Sequence, residues 1–309
     1  MNEALIIVMA VGIDLALGEP PAAAHPVVWM GKLIGWLERR APARPVAQFW
    51  FGCGMLILAA AVFALPAYAL MALAQAWHPA AYVALGALLL KSTFSVRELR
   101  AAALRVRTSL LVGRIGEARN DLRHLVSRDT SQLAEPSIVA ATVESVAENV
   151  TDSLVAPLLF FLVLGVPGAV LYRLVNTFDA MIGYRGRYEY LGKPSARLDD
   201  AMNFIPARLA AILMVLSSAI AGHDWRRAWK TMARDHALTA SPNAGWTMSA
   251  MAGALRVQLE KAGHYRLGDP VDALSCAKIG RAIGLMQVTA MLALLLFVFV
   301  EVSLYVRAS

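Results

Sequence analysis

Glu144-Ser-Val-Ala-Glu148-Asn-Val-Thr-Asp152 leads, after one serine, into Leu154-Val-Ala-Pro-Leu-Leu-Phe-Phe-Leu-Val-Leu-Gly-Val166. The second half decides the fold, because a run apolar on every side is what a membrane helix presents to lipid, and this one continues to Leu174. The first half is polar on one side only. At about 100° per residue, the directions of Glu144, Glu148 and Asp152 fan over roughly 80°, so on a helix they share one stripe with Ser145 and Asn149 beside it. Like charges at this spacing repel by a few tenths of a kcal/mol per pair in water, and more as the dielectric falls. A carboxylate stripe at the mouth of a membrane segment therefore needs a cation, a shared proton or a basic partner, and Mg²⁺ is the cation this reading expects.

Composition agrees with the apolar run. Hydrophobic residues make up 58% of the 309 residues and charged ones 17%, with mean hydropathy +0.55, against soluble averages of about 45–50% and about 25%. The chain reads as an all-α, polytopic integral membrane protein with amphipathic interfacial and cytoplasmic helices. Candidate spans are Phe49–Trp77, Ala80–Leu90 (short), Leu154–Leu174, Phe204–Ala221 and Ile283–Val306, giving four to six membrane helices. Ala4–Leu17 lacks a basic flank and carries Asp14, so it reads as a short retained membrane segment rather than a signal peptide. Residues 1–309 form a single membrane domain in this reading, with 222–282 as a peripheral helical lobe.

The net charge of +7 comes mainly from scattered Arg residues. Retention at an anionic leaflet accounts for Arg39, Arg40 and Arg44, which makes membrane lipid an expected partner. Nucleic acid is not one, since no basic run is interleaved with aromatics. Cys53 and Cys276 match neither a CxxC pair nor a Cys/His metal pattern and read as buried thiols.

Polar segments between the spans hold the candidate chemistry. Arg97–Val126 suggests two amphipathic helices broken near Gly113 and Gly116, and Pro136 suits the first turn of the acidic helix. Gly165-Val-Pro-Gly168 either kinks a single span or turns the chain into a re-entrant hairpin, which would return Asn176 and Asp179 to the side holding Glu144. His25-Pro26 follows Gly18-Glu-Pro-Pro, so His25 is an interfacial histidine or a ligand. Lys91-Ser92-Thr93 lacks the second glycine of a P-loop, leaving Lys91 as a phosphate-binding point charge or a snorkelling lysine. Ser127-Arg-Asp-Thr-Ser131 is a turn capped by Asp129 or Thr130, or a phosphate site with Arg128 as bidentate donor. Asn176-Thr-Phe-Asp179, the Gly183–Tyr190 loop with Arg185, and Asp199, Asp200 and Asn203 crowd polar groups between two spans, which favours a site. Ser241-Pro-Asn-Ala-Gly-Trp246 is a turn whose Trp suits an interface or a stacked ligand.

Taken in order, Gly18-Glu-Pro-Pro…His25-Pro-Val, Lys91-Ser-Thr-Phe-Ser-Val-Arg97, Ser127-Arg-Asp-Thr-Ser131, Glu144–Asp152, Asn176-Thr-Phe-Asp-Ala-Met-Ile-Gly-Tyr184 and Ser241–Trp246 resemble the adenosylcobinamide-phosphate synthase (CobD/CbiB) family of cobalamin biosynthesis over nearly the whole chain. Glu19 stands where Asp is common in that family. The resemblance implies an ATP-dependent amide ligase of the bacterial inner membrane with its motif loops in the cytoplasm. It would join the corrinoid adenosylcobyric acid to (R)-1-amino-2-propanol O-phosphate, or to the free amino alcohol. The chemistry so implied makes Glu144, Glu148, Asp152, Asp179 and His25 the catalytic candidates. Glu144, Glu148 and Asp152 would hold Mg²⁺. Lys91, Ser92, Arg128, Asp129, Thr130, Asn176, Arg185 and Asn243 would bind ATP and its phosphates. Homo-oligomers or association with other cobalamin-pathway enzymes are compatible with this picture. The alternatives are a related membrane sensory family and a transporter, though the chain shows no inverted repeat.

Overall fold

A computed structural model describes residues 1–308. In chain order the elements are α1 (Asn2–Leu17), α2 (Pro26–Glu38), α3 (Pro45–Trp77), α4 (Pro79–Lys91), α5 (Val96–Leu111), α6 (Ile115–Leu122), α7 (Glu135–Val150), a π turn (Thr151–Val155), α8 (Ala156–Ile182), α9 (Lys193–Met202), α10 (Phe204–Ile220), α11 (Trp225–Asp235), α12 (Ala244–Leu255), the strands β1 (Leu259–Lys261) and β2 (Tyr265–Leu267), and α13 (Cys276–Ala308). The expected all-α membrane architecture is borne out. Among the described residues, Pro45–Trp77, Pro79–Leu111, Glu135–Ile182 and Cys276–Arg307 are long and apolar enough to cross a membrane, and the pair α9 and α10, bent by 46°, makes five if counted as one span. Cys53 and Cys276 are free and half-buried.

The chain divides into two compact units. The first holds Met1–Ser95, Ala156–Asn203 and the chain from Leu296 onward. Its α3 is the plainest membrane element, since only 17% of its most apolar window is buried. The exposed Trp50 and Trp77 are 27 positions apart on this helix, about 40 Å at 1.5 Å per residue, which matches a bilayer with its headgroups and the usual place of interfacial tryptophans. α1 is shorter and packs on α4. Gly86 makes the approach feasible, because a Cβ there would lie 2.6 Å from Ile6 Cδ1, and the crossing carries Asp14 of α1 to the end of α4.

Gly165 has φ 67° and ψ −163° in the middle of α8. The break is a reversal and not a mild kink. The rings of Phe160 and Tyr172 stack with centroids 5.3 Å apart, whereas twelve residues of straight helix would separate them by about 18 Å. A Cβ on Gly168 would collide with Leu164 and with the Phe160 carbonyl. The chain therefore adopts the hairpin alternative, and its returning arm brings Asn176 back to about the level of Ala156. Gly168→Ala is expected to cost about 1–3 kcal/mol as an overpacking substitution, read as earlier thermal unfolding of the detergent-solubilised protein. Gly54→Ala in lipid-facing α3, where nothing lies within 4 Å of the added methyl, should leave unfolding unchanged.

The second unit, 96–155 and 204–295, contains the whole segment 222–282. α7 is its core: Ile138 through Ala147 are all buried, so the helix is enclosed on every face until Glu148. α12 is nearly as enclosed, and Gly253 lets α11 rest against it, since a Cβ there would strike the Arg227 carbonyl. β1 and β2 pair antiparallel with Leu259 opposite Leu267 and Lys261 opposite Tyr265. Leu259 and Leu267 are fully buried. By the period of two, Lys261 and Tyr265 share their face of the hairpin, which packs on α7.

Candidate functional site

Two polar clusters, one in each unit, hold six of the thirteen predicted residues: His25, Lys91 and Ser92 in the first, and Arg128, Glu144 and Glu148 in the second. In the first unit the Lys91 ammonium pairs with Asp14 Oδ1 at 3.0 Å and Glu19 Oε1 at 2.8 Å, and donates to the Phe94 carbonyl at 3.3 Å. The ammonium is thus hydrogen-bonded to Glu19 and the Phe94 carbonyl and ion-paired with the buried Asp14, so the charge expected to bind phosphate is already engaged by two carboxylates of the protein. Ser92, expected beside it at the phosphate, donates its hydroxyl to the Leu89 carbonyl as α4 ends. His25 caps α2 by accepting from the Val27 N–H at Nδ1, and its Nε2 lies 2.7 Å from Glu19 Oε2. The cap fixes the tautomer: a neutral ring carries its proton on Nε2 and donates it to Glu19. His25 as a proton acceptor would have to give up the cap.

Burial by itself would push the Glu19 carboxyl up, but hydrogen bonds from His25, Lys91 and Ser95 and the Lys91 charge hold it down at about 2, against an ordinary 4.5. A depressed folded pKa means that the stabilisation is complete above about pH 4.5 and is lost as pH falls toward 2. Acid unfolding should steepen in that window, and Glu19→Gln should flatten it.

Also in the first unit, Asn176 Oδ1 accepts from Arg173 at 3.1 Å. Asp179 sits against Gly183, where any Cβ would overlap its carboxylate, so the glycine is required for the chain to leave the helix there. Arg185 is exposed on the following loop.

The second unit builds the more enclosed site. Arg128 Nη2 lies 3.1 Å from Glu144 Oε2, with the Glu144 side chain only 7% exposed. A cavity of about 170 Å³ is lined by Arg128, Glu144, Ser145, Glu148, Asn149, Lys261 and Tyr265 among others. Within it the Glu144 Oε1 acceptor and the Arg128 Nε donor are buried with no hydrogen-bond partner in the protein. A second cavity of about 650 Å³ also has Arg128 in its wall, with Ser137, Gln258, Glu260 and Asp272 among largely apolar neighbours. Burial, then the Glu144 and Glu148 charges, push the Tyr265 hydroxyl well above its ordinary value, so it remains a donor beside Glu144.

Several predicted residues serve the fold instead. Asp129 accepts from the Ser131 backbone N–H at 2.9 Å and the Ser131 hydroxyl at 3.0 Å, forming a turn of its own. Thr130 is buried and donates to the Arg119 carbonyl. Asn243 begins α12 and accepts from Arg208 at 3.3 Å. Trp246 has His236 beside it, with ring centroids 4.0 Å apart, and the Arg208 guanidinium 4.7 Å from its ring centroid, so its ring already has protein partners.

The three-carboxylate metal site is not assembled. No group of three or more His, Cys, Asp or Glu side chains among the described residues is placed to hold a metal ion. Two physical reasons apply. Glu144 is already neutralised by Arg128, and the π turn at Thr151–Val155 changes the angular step per residue where the extrapolated stripe needed Asp152. Glu144 and Glu148 alone share a cavity, with cationic rather than acidic company.

The profile of the family described as CobD/CbiB protein matches residues 7–295. The chain belongs to the CobD/CbiB family. It is 50% identical over 275 residues to "Cobalamin biosynthesis protein CobD" of Dehalococcoides mccartyi (strain CBDB1), covering 89% of each chain. It is 42% identical over 293 residues to "Probable cobalamin biosynthesis protein CobD" of Methanothermobacter thermautotrophicus, covering 94% of this chain and 96% of that one. With "Cobalamin biosynthesis protein CobD" of Klebsiella pneumoniae subsp. pneumoniae it shares 37% identity over 303 residues and 94% of each. No solved structure matches.

Sequence motifs alone would have left this CobD/CbiB site incomplete. Lys261 and Tyr265 lie outside every motif that carried the resemblance. A signal existed: Val257, Leu259, Lys261 and then Tyr265, Leu267 alternate around Gly263, the pattern of a short hairpin. Asp14 was visible only as an acid in an apolar run, and its partner Lys91 is 77 positions away.

Proposed function

We propose that this CobD/CbiB protein is an adenosylcobinamide-phosphate synthase, an ATP-dependent amide ligase acting on adenosylcobyric acid and an aminopropanol substrate. The observation that carries the chemistry is the small cavity with a buried unpartnered acceptor on Glu144 and a buried unpartnered donor on Arg128. Native proteins rarely leave such groups orphaned unless a ligand or water completes them. A carboxylate does not accept an amine at neutral pH without activation. The γ-phosphoryl group of ATP passes to the propionate carboxylate of the corrinoid, giving an acyl phosphate and ADP. The amine nitrogen then attacks the acyl carbon, and inorganic phosphate leaves with the electrons of the broken C–O bond. Before it attacks, the substrate ammonium must lose a proton. Glu148, at the exposed end of the stripe, takes it and can return it to solvent. Arg128, held by Glu144, directs its remaining donors at phosphoryl or carboxylate oxygens.

Mg²⁺ does not fit the carboxylate stripe as a resident ion, since its acids do not converge and two cations face the cavity. It enters with ATP as the counter-ion of the phosphates. The cavity of about 650 Å³ is within the range of nucleotide-sized pockets. The apolar helices suit an amphipathic ring carried at a membrane surface, and the inner membrane with cytoplasmic motif loops gives the enzyme access to ATP.

The test is product formation by mass spectrometry from purified protein in detergent with adenosylcobyric acid, aminopropanol phosphate, ATP and Mg²⁺. The amide product, with ADP release that requires both substrates, is expected. Corrinoid uptake by vesicles without ATP turnover would favour a transporter, and neither activity would favour the sensory relatives.

A further inference from the structure

We propose that the β1–β2 hairpin is the specificity element of the small cavity, with Lys261 receiving an anionic group on the amine substrate and Tyr265 positioning Glu144. The inference rests on the ligase reading and deepens it, because none of the motif residues supplies these two side chains.

The argument begins from size. At about 170 Å³ the cavity has room for roughly five or six waters at about 30 Å³ each, which suits a molecule, or the end of one, of a few heavy atoms. Charge comes next. Arg128 and Lys261 face Glu144 and Glu148, so the cavity walls balance, and a ligand with net charge of either sign gains less there than a zwitterion. Hydrogen bonding narrows the class further. The buried atoms without a partner are one acceptor, Glu144 Oε1, and one donor, Arg128 Nε. A ligand that satisfies both must itself offer a donor and an acceptor a few ångströms apart. A short aminoalkyl phosphate does so, its ammonium directed to Glu144 and Glu148 and its phosphate to Arg128 and Lys261.

The hairpin is built to hold its two residues there. Lys261 and Tyr265 are directly paired across β1 and β2, anchored by the fully buried Leu259 and Leu267. Gly268, at φ 80°, follows at once where a Cβ would strike the Val257 carbonyl, and its N–H donates to Asp235 at 2.8 Å. The base of the hairpin is thus tied to α11, and its paired side chains have little freedom to leave the cavity. Tyr265 stays protonated beside Glu144 and acts through that carboxylate, as a positioning residue.

Steady-state kinetics with aminopropanol phosphate and free aminopropanol test the assignment, together with calorimetric binding of aminopropanol phosphate without ATP. Wild type should prefer the phosphorylated amine. Lys261→Ala should raise its KM about 10- to 100-fold, the range for losing one charged hydrogen bond, and the ratio of kcat/KM between the two amines should fall with it. Lys261→Arg should restore most of the preference. Tyr265→Phe should lower kcat/KM for both amines without changing their ratio, and melting temperatures should show that the variants are folded. If Lys261→Ala does not fold, Lys261→Gln serves in its place. An unchanged ratio in a folded Lys261 variant overturns the proposal while the ligase reading stands. If wild type makes no amide from either amine, the ligase reading fails, and the calorimetry then decides: binding that Lys261→Ala abolishes sustains the zwitterion site, and binding that it leaves intact overturns it.

Discussion

Lys91→Met is expected to destabilise the protein by about 3–5 kcal/mol, the usual cost of removing one member of a buried ion cluster. Asp14, 1% exposed, and the partly covered Glu19 would keep their charges beside an apolar side chain. The cost comes from those stranded carboxylates and not from the lost lysine itself. A triple variant, Asp14→Asn, Glu19→Gln and Lys91→Met, should therefore recover most of the stability, because it removes every charge that the burial penalises. Thermal unfolding in detergent would show the single variant melting well before wild type and the triple variant close to it. The sequence reading of Lys91 as a phosphate ligand makes the opposite forecast: normal melting with impaired ATP binding.

Glu148→Gln should reduce kcat/KM for amide formation by about 10²–10⁴-fold, the range for losing a general base, with little change in melting temperature because position 148 is exposed. The isosteric amide keeps the shape and one acceptor oxygen but cannot accept the proton. If Glu148 is the base, raising the pH should partly rescue the variant, since more of the amine is then already neutral. If activity stays at the wild-type level across the pH range, the proton leaves by another route. Asp152→Asn is a useful contrast: as a member of a metal triad it would behave like Glu148→Gln, whereas its place in the π turn predicts a much smaller loss.

Amphipathic and apolar periodicity reached the fold directly because it reports burial, and burial is set locally by each helix's neighbours in lipid or protein. Pro136 at the start of α7 and the 33-residue α3 follow from the same local rules. The site was less legible, and the failures share a cause. The acidic stripe was extended at a constant 100° per residue, and the π turn at Thr151–Val155 broke that regularity. Lys91, Ser92, His25 and Asp129 looked like ligands because their types suit phosphates or protons, but side-chain type does not reveal whether a neighbouring carbonyl, N–H or carboxylate has already claimed the donor. Gly165-Val-Pro-Gly168 told that the apolar run is interrupted, yet a kink and a reversal draw on the same residues.

By itself the sequence determined that this is a helical membrane protein of the CobD/CbiB family and which polar segments punctuate its spans, since hydropathy and ordered motifs are properties of the chain read in one dimension. Only the tertiary structure decided that the chain reverses at Gly165, that Lys91 neutralises Asp14 and Glu19, and that a hairpin more than a hundred residues downstream brings Lys261 and Tyr265 to Glu144. Those outcomes depend on distances between residues far apart in sequence, and such distances are set by packing.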